Sequence, residues 1–94
     1  MTFKERYDTE QTWHGKAIIM EILHLAGRLN YPDWTLAKTA HVFEVSIALV
    51  SENLKLADAI HRNERLTRCK TRQEALQKVS RNGRIMEAEI DDDI

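Results

Sequence analysis

The chain has 94 residues, 43% of them apolar and 31% charged, with three glycines, one proline and a net charge of −1. That length holds one modest core and excludes a deep catalytic cleft between two lobes. The scarcity of Gly and Pro beside so much Ala, Leu, Lys, Arg and Glu favours an all-α fold of four to five helices.

No apolar run reaches the roughly 18 to 20 residues needed to span a bilayer, and the opening MTFKERYDTE lacks the apolar core of a signal peptide. A cytoplasmic protein with no membrane partner is expected. Cys69 is the only cysteine, so no disulfide can form within the chain, and a small, partly buried role is expected for it.

In chain order, residues 1–11 mix charge and polarity without a period and read as a loose arm, in which Phe3 and Tyr7 are the candidates for docking. The helical domain is expected over residues 12–84. Its first helix runs from about Thr12 to Leu29, because Ile18, Ile22, Leu25 and Leu29 recur at spacings of four, three and four. Ile19, Leu23 and Ala26 widen that stripe, which is expected to be the buried face, while Gly15 and Gly27 weaken the two ends. Pro32 marks the turn that follows, and Asp33 and Thr35 are both candidate caps for the next helix.

Leu36, Ala37, Ala40 and Phe43 describe a helix of about two turns. Glu44 and Val45 then form a corner, and Ser46 is a good N-cap for a longer helix reaching about His61, with Val50, Leu54 and Ala57 on its buried side. Two helices joined by so short a corner cross steeply, and Ala40 supplies the small residue that such a crossing needs. After a turn near Leu66, Thr71 and Glu74 have capping-box spacing and open a last helix over about Arg72 to Arg81, ended at Asn82-Gly83.

Charge is strongly segregated along the chain. Residues 1–61 hold six Lys and Arg against eight Asp and Glu; residues 62–84 hold eight against two; residues 85–94 hold none against five. The basic block has the composition of a surface that meets phosphates, and the acidic tail over 85–94 reads either as a solvated end or as a segment folding back on that block.

The stretch WTLAKTAHVFEVSIALVSENLKLADAI, with RCKTRQEALQKV, resembles the helix-turn-helix segment of ParB/KorB-type partition proteins and related small phage and mobile-element DNA-binding proteins. The resemblance covers about Asp33 to Val79. It implies that Leu36–Phe43 supports the helix Ser46–Ile60, which enters a major groove, with Ile47, Ala48, Leu49, Ser51 and Glu52 at the groove-facing positions. Glu44 stands where the family usually has Gly, and so should adopt positive φ. Of the groove-facing set, Glu52 suits a cytosine amino group and Ile47 and Ala48 suit thymine methyls.

Lys38, Lys55, Arg62, Arg65, Arg68, Lys70 and Arg72 are the candidate phosphate contacts. The expected partner is double-stranded DNA, bound by a homodimer on the two-fold logic of such sites, in a phage- or plasmid-type regulator or partition-associated protein. The alternative is the same fold used as an assembly module, a small packaging subunit or adaptor, with Ile47 and Leu49 at a protein contact.

His14, His24, His41 and His61 have no i, i+4 pairing with each other or with Cys69, so neither metal nor cofactor is expected. Asp91, Asp92 and Asp93 lie in a tail unsuited to the fixed geometry of acid-base catalysis, and no enzymatic activity is expected.

Overall fold

A computed structural model of the chain describes residues 1–79. The acidic tail, the Asn82-Gly83 stop and the boundary at 84 lie outside the described residues. Among these, five α-helices follow one another: α1 (Phe3–Thr9), α2 (Trp13–Asn30), α3 (Leu36–Phe43), α4 (Ile47–Arg62) and α5 (Arg72–Gln77). A 3-10 helix, Glu64–Arg68, joins α4 to α5. None of these helices is long and apolar enough to cross a membrane.

Local chemistry sets most of the boundaries. The hydroxyls of Thr12, Thr35, Ser46 and Thr71 each accept the amide three residues ahead, so each helix start gains a partner for one of its orphan N–H groups. Thr35, rather than Asp33, caps α3, and Asp33 instead lies 3.6 Å from Lys38 Nζ. At α5 the expected box is altered. Glu74 donates its amide to Thr71 Oγ1 at 3.1 Å, but its carboxylate accepts from the amide of Lys70 at 3.3 Å, not from that of Thr71.

The N-terminal segment differs from the loose arm read in the sequence. Thr2 accepts from the Glu5 amide at 3.1 Å and donates its hydroxyl to the Glu5 carboxylate at 3.2 Å, which starts α1. Phe3 and Tyr7, one turn apart, then pack on the cluster containing Phe43, with the Tyr7 and Phe43 ring centroids 5.1 Å apart. The Thr2–Glu5 spacing was a visible cap signal; apolar docking supplies what so short a helix lacks alone.

α2 differs more deeply. Its buried residues are Ala17, Met20, His24 and Gly27, whereas Ile22, Leu25 and Leu29 from the expected buried stripe are 50%, 58% and 86% exposed. The reason is close packing. A Cβ on Gly27 would lie 2.4 Å from Cε2 of Trp34, so the missing side chain lets the indole lie directly on the helix. From there Trp34 Nε1 donates to Thr39 Oγ1 at 2.8 Å, and the same hydroxyl lies 2.7 Å from His24 Nδ1. This buried polar cluster ties α2 to α3 and to the turn between them.

His24 is 6% exposed, and burial, with a smaller contribution from the nearby Arg28 charge, pushes its pKa below the ordinary 6.5. The unfolded chain therefore takes up a proton on this residue that the folded chain resists. The stability His24 confers is complete above about pH 6.5 and declines as pH falls through the lower folded value. Melting temperatures measured between pH 7.5 and 5 should fall for the parent on acidification, and should fall less steeply for His24→Gln.

α3 ends at Glu44, whose φ of 57° and ψ of 47° are left-handed, as the corner required. The Val45 amide reaches back to Ala40 O at 3.1 Å and the Glu44 amide to His41 O at 3.2 Å, so a Schellman-type closure turns the chain with only Glu44, Val45 and Ser46 between helices. Ala40 is 5% exposed. Among the described residues Glu44 is the only non-glycine with positive φ. Glu44→Gly removes the Cβ strain and should stabilise the protein by about 1 kcal/mol, seen as a melting temperature roughly 5 °C higher. The pair that Glu44 makes with Lys4, 3.3 Å away in a solvent-exposed position, offsets little of this.

α4 is the central element. Its Val50 faces a cluster with Met20, Ala40 and Phe43, and its Leu56, Ala57 and Ala59 face another with Ala17, Leu66, Cys69 and Ala75. Trp13 Nε1 donates to Cys69 O at 2.8 Å and so pins the start of α2 to the segment before α5.

Candidate nucleic-acid interface

The site expected from the sequence falls on α4 and on the segment from Arg62 to Arg72. At 3.6 residues per turn, Ile47, Ala48, Ser51, Glu52 and Lys55 share the side of α4 turned from the core. Ile47 is 51% exposed, Ala48, Glu52 and Lys55 are exposed, and Ser51 is half-buried. Leu49 departs from this group: it is partly buried against the cluster of Met20, Ala40, Phe43 and Val50, so its side chain serves packing. Four of the five residues expected from the sequence to face a groove, Ile47, Ala48, Ser51 and Glu52, thus lie on the outer side of α4.

The basic residues also separate. Arg72 Nε donates to Asn53 Oδ1 at 2.8 Å and its Nη2 to Glu52 Oε1 at 2.7 Å. Asn53 is 1% exposed, and its amide nitrogen lies 3.6 Å from Met20 Sδ. Arg72 is thus a strut between α5 and α4, with its guanidinium already engaged by two side chains. Glu52 is engaged by the same contact, which reduces the negative charge that the outer face of α4 presents. Sequence reasoning placed Arg72 among phosphate contacts and Glu52 among base contacts, and had no signal for their meeting, since twenty residues separate them.

Arg62 lies 3.2 Å from Asp58 one turn back. Arg65 uses Nε to donate to Asn63 Oδ1 at 3.2 Å, beside the cap that Asn63 gives the 3-10 helix. Arg68 and Lys70 are exposed at the end of that helix and in the following bend. Lys38, at the start of α3, stands between Asp33 and the Trp34 ring, 5.9 Å from its centroid. The cations best presented to an external phosphate are therefore Lys55, Arg68 and Lys70, with Arg62 and Lys38 bearing exposed acid partners that a phosphate can displace.

Apart from the phosphate and base candidates, no group of three or more His, Cys, Asp or Glu among the described residues is placed to hold a metal ion. The fold and site define a small all-α domain with a tight three-residue corner and a polar-edged outer helix face. No known protein family, curated protein or solved structure matches the chain.

Proposed function

We propose that this protein binds double-stranded DNA, with α3, the corner at Glu44 and α4 acting as a helix-turn-helix of the kind found in ParB/KorB-type and related phage and plasmid proteins. The observation that carries the reading is the left-handed Glu44 between two helices only three residues apart. It turns α4 so that Ile47, Ala48, Ser51, Glu52 and Lys55 form an outward face. The apolar and small members suit thymine methyls, and Ser51 suits either a base edge or a phosphate. Affinity would come chiefly from Lys55, Arg68 and Lys70 through phosphate contacts and counterion release. A regulator or partition-associated role, working as a homodimer in the cytoplasm, fits such a module.

A second reading is favoured by Ile47, an aliphatic side chain 51% exposed at the start of α4: the same face would then pack on a protein in an assembly. Fluorescence anisotropy with mixed-sequence duplexes at two salt concentrations separates the two. DNA binding predicts affinity that falls steeply with salt. Arg68→Ala combined with Lys70→Ala should weaken binding about equally on all sequences and lower the slope of log affinity against log salt by roughly 1.8, about 0.9 for each phosphate that is no longer neutralised. No binding to any duplex at low salt would reject the DNA reading in favour of the assembly one.

A further inference from the structure

A carboxylate on a helix face that approaches DNA meets phosphates of its own sign. Glu52, on the outer face of α4, is not left bare. Its Oε1 accepts from Arg72 Nη2 at 2.7 Å, and Arg72 is itself fixed through Nε, which donates to Asn53 Oδ1 at 2.8 Å. Asn53 is 1% exposed, with its amide nitrogen 3.6 Å from Met20 Sδ. A line of polar contacts thus runs from the core, through Arg72, to a carboxylate whose side chain remains 48% exposed. The Asn53 contact alone is enough to join α5 to α4. The further contact with Glu52 balances its charge and ties down one carboxylate oxygen, which leaves Oε2 as the acceptor for a ligand.

We infer that Glu52, positioned by Arg72, reads a cytosine in the major groove. The inference rests on the DNA reading of α4 and specifies one base pair within it. An ionised carboxylate offers acceptors only, so its partner is an amino group, cytosine N4 or adenine N6 on the major-groove edge. Adenine sets its N7 acceptor beside that amino group, where it opposes a carboxylate. Cytosine has only the C5 hydrogen there, which suits Ala48, one turn before Glu52 on the same side of α4. On the other side of N4 lies O6 of the paired guanine, an acceptor that suits the neighbouring Arg72 guanidinium.

The hold of Arg72 on one oxygen gives Glu52→Gln a distinctive outcome. The variant keeps Oε1 on Arg72 Nη2 and turns its amide N–H toward the groove, where the acceptor at the same place on a pyrimidine is thymine O4. The preferred base should therefore change from cytosine to thymine, whose methyl group also meets Ala48. A glutamine free of Arg72 pairs with N6 and N7 of adenine instead.

Duplexes selected from a randomised pool by the full chain, then varied one base at a time in fluorescence anisotropy, measure this. At one position the parent should prefer cytosine over each other base by at least about fivefold, and Glu52→Gln should prefer thymine there by a similar factor. Arg72→Lys, used once circular dichroism shows the parent's fold, should lose most of the cytosine preference with the salt dependence unchanged. A phosphate contact would instead lower the salt slope, and a purely structural strut would leave the preference intact. Glu52→Gln decides alone if Arg72→Lys does not fold. Binding with no cytosine preference at any position, a change to adenine in Glu52→Gln, or a folded Arg72→Lys as selective as the parent overturns the inference and leaves DNA binding standing. A parent that binds no duplex at low salt overturns both.

Discussion

Gly27→Ala should lower the stability of the protein by about 2 kcal/mol, although Ala is the better helix former. In an exposed helix interior this exchange stabilises by roughly 1 kcal/mol. Here the new Cβ falls 2.4, 2.5 and 2.7 Å from Cε2, Cδ2 and Nε1 of Trp34, well inside the roughly 3.5 to 4 Å at which carbon atoms rest. The indole must move by about 1 Å or more. That movement draws Nε1 away from Thr39 Oγ1 and disturbs the contact of the same hydroxyl with His24. Overpacking of roughly 1 to 3 kcal/mol and a weakened buried hydrogen bond of roughly 1 kcal/mol together exceed the propensity gain. The melting temperature should drop by roughly 10 °C, with a change in tryptophan emission. Gly15→Ala is the control. Its Cβ would have side-chain atoms of Glu10 as its nearest neighbours, 2.4 Å away, and that flexible chain can swing aside with loss of its solvent-exposed bonds to Thr12, so a smaller effect is expected. Equal losses at both sites would show that Trp34 is not the cause.

Arg72→Ala should cost roughly 2 to 3 kcal/mol, more than any surface arginine can. The loss comes from Asn53. Truncation leaves its Oδ1 without the Arg72 Nε donor at 2.8 Å while Asn53 itself is 1% exposed, and α5 loses its polar tie to α4. Arg72→Lys should recover only part, because an ammonium cannot reproduce the fork that reaches Asn53 and Glu52 together. Glu52→Ala removes only the more exposed half of the arrangement, the contact at 2.7 Å with a carboxylate whose side chain is 48% exposed, and should cost much less. Urea denaturation of the four proteins gives the order directly. If Glu52→Ala were as costly as Arg72→Ala, the ion pair rather than the buried amide would be the anchor. A DNA-binding test on Arg72→Ala therefore needs its fold checked first, which is why Arg68 and Lys70 are the better probes of phosphate contact.

What the sequence determined by itself was local. Thr12, Thr35, Ser46 and Thr71 marked helix starts because a cap is an interaction with an amide three residues away. The positive φ of Glu44 was expected only through the resemblance, as the place where such proteins usually have Gly. The same logic was available at Thr2 and Glu5, where the cap signal stands beside two aromatic residues one turn apart. Of the candidate interface, Ile47, Ala48, Leu49, Ser51 and Glu52 were named through the resemblance, while periodicity marked only Val50, Leu54 and Ala57 as the buried side of α4. The tertiary structure alone decided the rest. Periodicity finds a stripe but cannot say which of two stripes a neighbour accepts, and in α2 the heavier one, Ile22, Leu25 and Leu29, lost to Ala17, Met20, His24 and Gly27. Small side chains there let Trp34 and the helices approach closely, and close contact over many atoms outweighs the larger apolar area of a few protruding ones. Leu49 was drawn from the expected groove face into the core by the same demand for filled space. Arg72 met Asn53 and Glu52 across twenty residues, a pairing made by the path of the backbone, which local sequence does not encode.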